Sequence, residues 1–162
     1  MKRVTYDWNN VEEEVEFKIY ESYKDFYERV GSIGIDDFIY IVSPTDVEFM
    51  DGLKENFKNI KDVNDTFKKG GHIDENLNLF EGEFPWMPVG YTTNGDYILV
   101  RDGEVMILGG YFDEIEIYDC YLMGFIEKYL RDELKYGVFP DDLIGIKHEV
   151  ELISKETHYL GE

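Results

Sequence analysis

At 162 residues, with 43% apolar and 16% aromatic side chains, the chain has the length of one domain and enough apolar material to bury a core, which argues against disorder. Thirty-six Asp and Glu stand against 16 Lys and Arg, a formal net charge of −20. A field of that sign repels phosphate backbones and anionic lipid, which disfavours direct nucleic-acid or membrane-surface binding, and it attracts a basic protein partner. Solubility alone is the plainer reading of the same charge.

In chain order, the first element reads as a helix over about Tyr6–Val15, with Trp8, Val11 and Val15 on one face and Glu12, Glu13, Glu14 and Glu16 outward. A second helix is expected over Glu21–Val30, where Tyr23, Phe26, Tyr27 and Val30 form an i, i+3, i+4, i+7 stripe ending at Gly31. Ile35–Val42 is rich in β-branched and aromatic residues and reads as the first strand. Ser43-Pro44 looks like a capped helix start, the helix carrying Val47, Met50, Leu53, Phe57 and Ile60 inward and fraying before Gly70-Gly71.

From Phe84 onward the pattern alternates. Met87–Thr92, Tyr97–Arg101 and Glu104–Leu108 read as strands joined by Thr93-Asn94-Gly95-Asp96 and by Asp102-Gly103. Glu114–Tyr118 is a further strand, with Ile115 and Ile117 on one face and Glu114, Glu116 and Tyr118 on the other, the signature of a half-exposed antiparallel sheet. Tyr121–Lys135 is the clearest amphipathic helix, with Gly137 as its stop; Ile144–Ile153 mixes two periodicities and its state stays open. The expected class is α+β, a single domain over 1–162: N-terminal helices, a central, mostly antiparallel sheet and a C-terminal helix packed on it.

The chain carries no recognisable catalytic signature. His72, His148 and His158 lack metal-ligand spacing, no glycine-rich phosphate loop occurs, and none of the four serines lies in a hydrolase elbow. No catalytic residue, metal ligand or cofactor is therefore expected. His72 reads as a solvent-facing loop residue and Cys120 as a small buried one. With Cys120 alone there is no internal disulfide, and the basic start Met1-Lys2-Arg3 leads into no apolar signal segment, so a cytoplasmic protein is expected.

The segment Phe84-Pro85-Trp86-Met87-Pro88-Val89-Gly90-Tyr91-Thr92-Thr93-Asn94-Gly95-Asp96-Tyr97-Ile98-Leu99 resembles the central part of the SUKH superfamily, the Smi/Knr-type immunity proteins. The order of elements is similar too, from the Trp8 helix through Tyr23 and Phe26, Pro44, and Phe125–Leu130 to Phe139-Pro140. The Gly-x-x-Leu-Pro usual before the second helix is replaced by Glu16-Phe17-Lys18-Ile19-Tyr20. The resemblance implies an immunity protein that neutralises a cognate polymorphic or contact-dependent toxin by binding it, the toxin domain being basic if it is a nuclease. It implies structural roles for Pro85, Trp86, Gly90, Asn94, Gly95 and Asp96, with Gly95 supplying a positive φ.

Exposed acids and aromatics beside the sheet are the candidate partner-binding residues: Asp36, Asp37, Tyr111, Asp113, Glu114, Glu116 and Tyr118. An ordinary solvated face is the plainer reading of the same set. Two other functions compete, a regulatory or scaffold module of the same fold, and a small hydrolase using paired carboxylates.

Overall fold

The computed structural model describes residues 6–47, 50–73, 78–134 and 140–154. Helix α1 (Trp8–Val15) is opened by Asp7, whose carboxylate accepts from the Asn10 N–H at 3.3 Å, and closed by Glu16 at φ 61°. Trp8, Val11 and Val15 are buried and Glu13 and Glu14 exposed, but Glu12 turns back to accept from the Ile19 N–H at 3.2 Å and to pair with Lys24 at 3.4 Å. Helix α2 (Glu21–Arg29) buries Tyr23, Phe26 and Tyr27.

Two expectations fail between residues 32 and 53. Ile35–Val42 is not one strand: β1 (Ser32–Ile35) and β2 (Ile39–Ile41) form a hairpin. Asp36 and Asp37 turn the chain with φ of 57° and 51°, and the Phe38 N–H donates to Ile35 O at 2.9 Å. Aspartate tolerates the left-handed region that such a turn needs, and β-branched flanks hid it. Ser43 does not cap a helix: its buried hydroxyl pairs with the Tyr27 hydroxyl at 3.3 Å and accepts from the Thr45 N–H at 3.4 Å, but the chain then turns and Val47 bridges back to Met50. Helix α3 (Leu53–Lys69) starts ten residues later, with Gly52 in the capping position held by Asp46 Oδ1 at 2.7 Å. Val47 and Met50 thus precede the helix, and Phe57 is half-buried, stacked on Phe17 at 4.6 Å between centroids.

Strands β3 (Met87–Thr92), β4 (Tyr97–Arg101) and β5 (Glu104–Leu108) have the expected bounds, and β6 (Ile115–Tyr118) is one residue shorter. Helix α4 (Leu122–Leu130) ends earlier than expected, where Asp132 takes φ 58°; Lys135, Gly137 and Phe139 lie outside the described residues. Ile144–Ile153 leads into and overlaps β7 (Val150–Ser154), which pairs antiparallel with β1. The sheet order is β6-β5-β4-β3-β2-β1-β7, every pairing antiparallel.

Two apolar clusters sandwich this sheet. Ile98, Val100, Val105 and Ile107 face α2 and α4, while Leu99, Met106 and Leu108 face α3 with Ile60, Trp86 and Phe112. The chain is an α+β domain with α4 packed on the sheet. Near its centre, a Cβ on Gly90 would lie 2.3 Å from Tyr40 O, so this crossing of β3 and β2 admits no side chain. The Trp86 ring lies under the Arg101 guanidinium at 4.2 Å, and the Tyr20 hydroxyl donates to Pro85 O at 2.6 Å. In the next turn Asn94 is exposed and Gly95 has φ 87°, while Thr92 Oγ1 and Asp96 Oδ2 are bonded at 2.9 Å. Burial holds the Asp96 carboxyl above its ordinary value.

Candidate functional site

The sheet order separates the seven candidate residues into two places. Asp36 and Asp37 lie in the β1–β2 turn, whereas Tyr111, Asp113, Glu114, Glu116 and Tyr118 lie on the β5–β6 loop and on β6. Between β6 and β2 stand β5, β4 and β3. At ~4.8 Å per strand spacing, roughly 19 Å of sheet divides the two groups. They are two surfaces.

The β5–β6 margin is built on a strained anchor. Phe112 has φ 60°, uncommon for an aromatic residue and worth about 1–2 kcal/mol. Its ring is buried against Phe67 (5.7 Å, 88°) and Tyr97 (6.0 Å), and its N–H donates to Gly109 O at 2.8 Å. With Phe112 inserted, the next residues are pushed outward. Tyr111 is 76% exposed, and Asp113 and Glu114 are exposed beside it.

Along β6 the alternation has the opposite sense to a buried-apolar strand. Ile115 and Ile117 are 41% and 52% exposed, whereas Glu116 and Tyr118 are half-buried and bonded to one another at 2.7 Å. The register explains it: Ile115 continues the row from Leu108, and Ile117 the row from Met106, beyond the reach of α3. Alternation shows that two faces differ but not which one is covered. With Tyr111 at the start of this edge, Ile115 and Ile117 form an apolar margin bordered in sequence by the exposed Asp113 and Glu114, while Tyr121, 49% exposed, lies beside Gly103 in the β4–β5 turn.

The second place is a half-buried fastening. Asp36 was expected to be exposed, yet its side chain is 4% exposed. Its Oδ2 accepts from the Tyr129 hydroxyl at 2.8 Å and from His148 Nδ1 at 2.6 Å; Oδ1 accepts from the Glu149 N–H at 2.8 Å. The left-handed turn points this carboxylate at those donors. His148 Nε2 meets Asp132 Oδ1 at 2.8 Å, so both ring nitrogens face carboxylates. Only the doubly protonated ring donates to both.

Burial opposes the imidazolium, but the bonds to Asp36 and Asp132 and the charges of both carboxylates outweigh it and raise the His148 pKa. Burial likewise works against the Asp36 charge, and the Glu149 N–H, His148 and Tyr129 together hold its carboxyl below the usual value. The Gly145 N–H and then His148 lower Asp132, while burial followed by the Asp36 bond pushes the Tyr129 phenol up. In that protonated form both ring nitrogens are engaged by carboxylates and neither carries a lone pair.

The fastening borders an open cleft of about 490 Å³ lined by Gly34, Asp36, Asp37, Lys147, Glu149, Val150 and Glu151. No local signal joins these residues, because Tyr129 and His148 reach Asp36 across 93 and 112 residues and Asp132 meets it only through His148. Ile115 and Ile117 were seen, but not as surface. His72 is exposed, and Cys120 is half-buried, its thiol pushed up by burial. Among the described residues no three or more His, Cys, Asp or Glu are placed to hold a metal ion, and no helix is long and apolar enough to cross a membrane.

No protein-family model, curated protein or solved structure matches this chain.

Proposed function

We propose that this protein is a binding protein of the immunity kind, which neutralises a cognate toxin by docking against a basic surface of the toxin domain. The observation that carries the reading is the β5–β6 margin, where Tyr111, Ile115 and Ile117 are exposed beside Asp113 and Glu114. Aromatic and aliphatic anchors rimmed by charge are the composition of a protein interface. A chain of net charge −20 attracts a positively charged partner, and nuclease toxins present positive surfaces because their substrate is an anion. The sequence resemblance between Trp8 and Pro140 supports the same class from a separate source.

A carboxylate-dependent hydrolase is less well supported. It needs one carboxyl held protonated near neutrality, whereas Asp36 and Asp132 are shifted toward the charged form. Asp96 is shifted the other way by burial, but its carboxyl is bonded to Thr92 in its own turn and to the Gly110 N–H. The scaffold reading shares the binding surface and differs in the partner.

The test is co-expression with the protein encoded by the adjacent gene. Capture of that protein and survival of cells otherwise killed by it are the expected results. A neighbour that is not toxic, together with no capture, would overturn the reading.

A further inference from the structure

The outer side of β6 is an open sheet edge whose chemistry fits one kind of guest. β6 is the terminal strand of the sheet, and among the described residues no strand pairs with its outer side. The Gly109 N–H donates to Glu114 O at 2.8 Å, and Leu108 lies opposite Ile115. In an antiparallel ladder this makes Ile107–Glu116 and Val105–Tyr118 the hydrogen-bonded pairs. The N–H and C=O of Ile115 and Ile117 therefore point away from β5. The same two residues carry the exposed side chains, so backbone and apolar groups are offered together.

Open edges invite pairing with any extended chain, and proteins commonly block them with lysine, proline or a bulge. β6 has none of these: its sequence is Ile-Glu-Ile-Tyr, and its register with β5 is unbroken. What it has instead is negative charge, from Asp113, Glu114 and Glu116. Acid at the edge repels a second copy of this chain, itself at −20, while attracting a basic strand. The opposite edge, β7, runs at Ser154 into residues outside the described set.

We propose that β6 accepts an extended segment of the partner protein as an added strand, and that this segment alternates apolar and basic residues. The apolar side chains would lie beside Ile115 and Ile117, lengthening the rows that run from Leu108 and Met106; the basic ones would lie on the other face, beside Glu116. The inference rests on the binding function proposed above and specifies how the contact is made.

The experiment titrates the isotopically labelled full chain with a short capped peptide of alternating lysine and valine. The controls are the same peptide with N-methylated valines and a block peptide of the same composition. The expected result is amide shifts and slowed hydrogen exchange centred on Ile115 and Ile117, given by the alternating peptide alone. Ile117→Pro removes an outward N–H without breaking a bond to β5, and proline is tolerated at such edge positions. It is expected to weaken binding about tenfold, the worth of one hydrogen bond of ordinary strength, with an unchanged melting temperature. Ile117→Lys, which keeps the N–H but adds positive charge, is the second variant and also weakens binding.

Equal responses to all three peptides, shifts centred on β7, or a dimer formed through β6 in sedimentation would each overturn the proposal. No toxin enters this titration. A failure here leaves the neutralising function to the co-expression test, and failure of the co-expression leaves a strand-accepting edge standing.

Discussion

His148 Nδ1 and Asp36 Oδ2 lie 2.6 Å apart although 112 residues separate them in the chain. The contact pins the segment leading into β7 against the β1–β2 turn. Because the folded state favours the imidazolium, the His148 pKa lies above its ordinary 6.5. Its contribution is complete below that value and is lost as pH rises through the folded pKa. Asp36 and Asp132 lie below the ordinary 3.8, so their contribution is present above that value and lost as pH falls through their folded pKa values.

A stability plateau is therefore expected between these limits, with a decline on the alkaline side that His148→Leu abolishes. The variant should lose about 1–3 kcal/mol on the plateau, from bonds that Asp36 no longer makes. Urea midpoints measured across pH for both proteins check this, and parallel pH profiles would refute it. Hydrogen exchange in Val150–Ser154 should accelerate in the variant, since β7 opens first when its fastening goes.

Gly90→Ala and Gly34→Ala are expected to differ. A Cβ at Gly90 meets the Tyr40 carbonyl oxygen at 2.3 Å, an atom fixed in a sheet, whereas at Gly34 it meets the Tyr40 ring carbon Cε1 at 2.9 Å, which a side-chain rotation relieves. The first substitution should cost about 2–3 kcal/mol or more and the second under about 1.5 kcal/mol. Thermal denaturation of the pair distinguishes them, and equal losses would contradict this account of the β2–β3 crossing.

Helix α4 begins without a side-chain cap of its own, and Ser22 on α2 supplies one: the buried Ser22 Oγ accepts from the Leu122 N–H at 2.8 Å. Ser22→Ala should cost about 1 kcal/mol, as loss of an ordinary cap does. A measurement within error of the parent would mean that water replaces the hydroxyl.

For a partner captured by co-expression, the association rate should fall as ionic strength rises, while the dissociation rate changes little. Neutralising the margin with Asp113→Asn and Glu114→Gln should slow association by a factor of about 2–10 without altering the melting temperature. Stopped-flow measurements over a salt series read both effects. A salt-independent rate would remove the electrostatic part of the proposed function.

Elements with unbroken periodicity were legible in the sequence. The turn chemistry of Asn94-Gly95 and Asp102-Gly103 and the runs between fixed β3, β4 and β5, and the stripe of Leu122, Phe125, Ile126 and Tyr129 fixed the face of α4. Local signals misled where a tertiary contact outbid them. Ser43 has the neighbours of a helix cap, but its hydroxyl bonds Tyr27 and the Thr45 N–H of a turn, and the helix waits until Leu53. Asp36-Asp37 sits inside a β-rich run, and only the left-handed φ values there reveal a hairpin.

What the sequence determined by itself was the class of domain, its charge and the existence of an alternating strand at Ile115–Tyr118, because these follow from composition and from periods of two and 3.6 residues. Tertiary structure decided which side of that strand α3 leaves uncovered, and that Asp36 is a buried anchor and not a surface acid. Both depend on what lies across the sheet or at the far end of the chain. Periodicity along one segment carries no information about its neighbours in space.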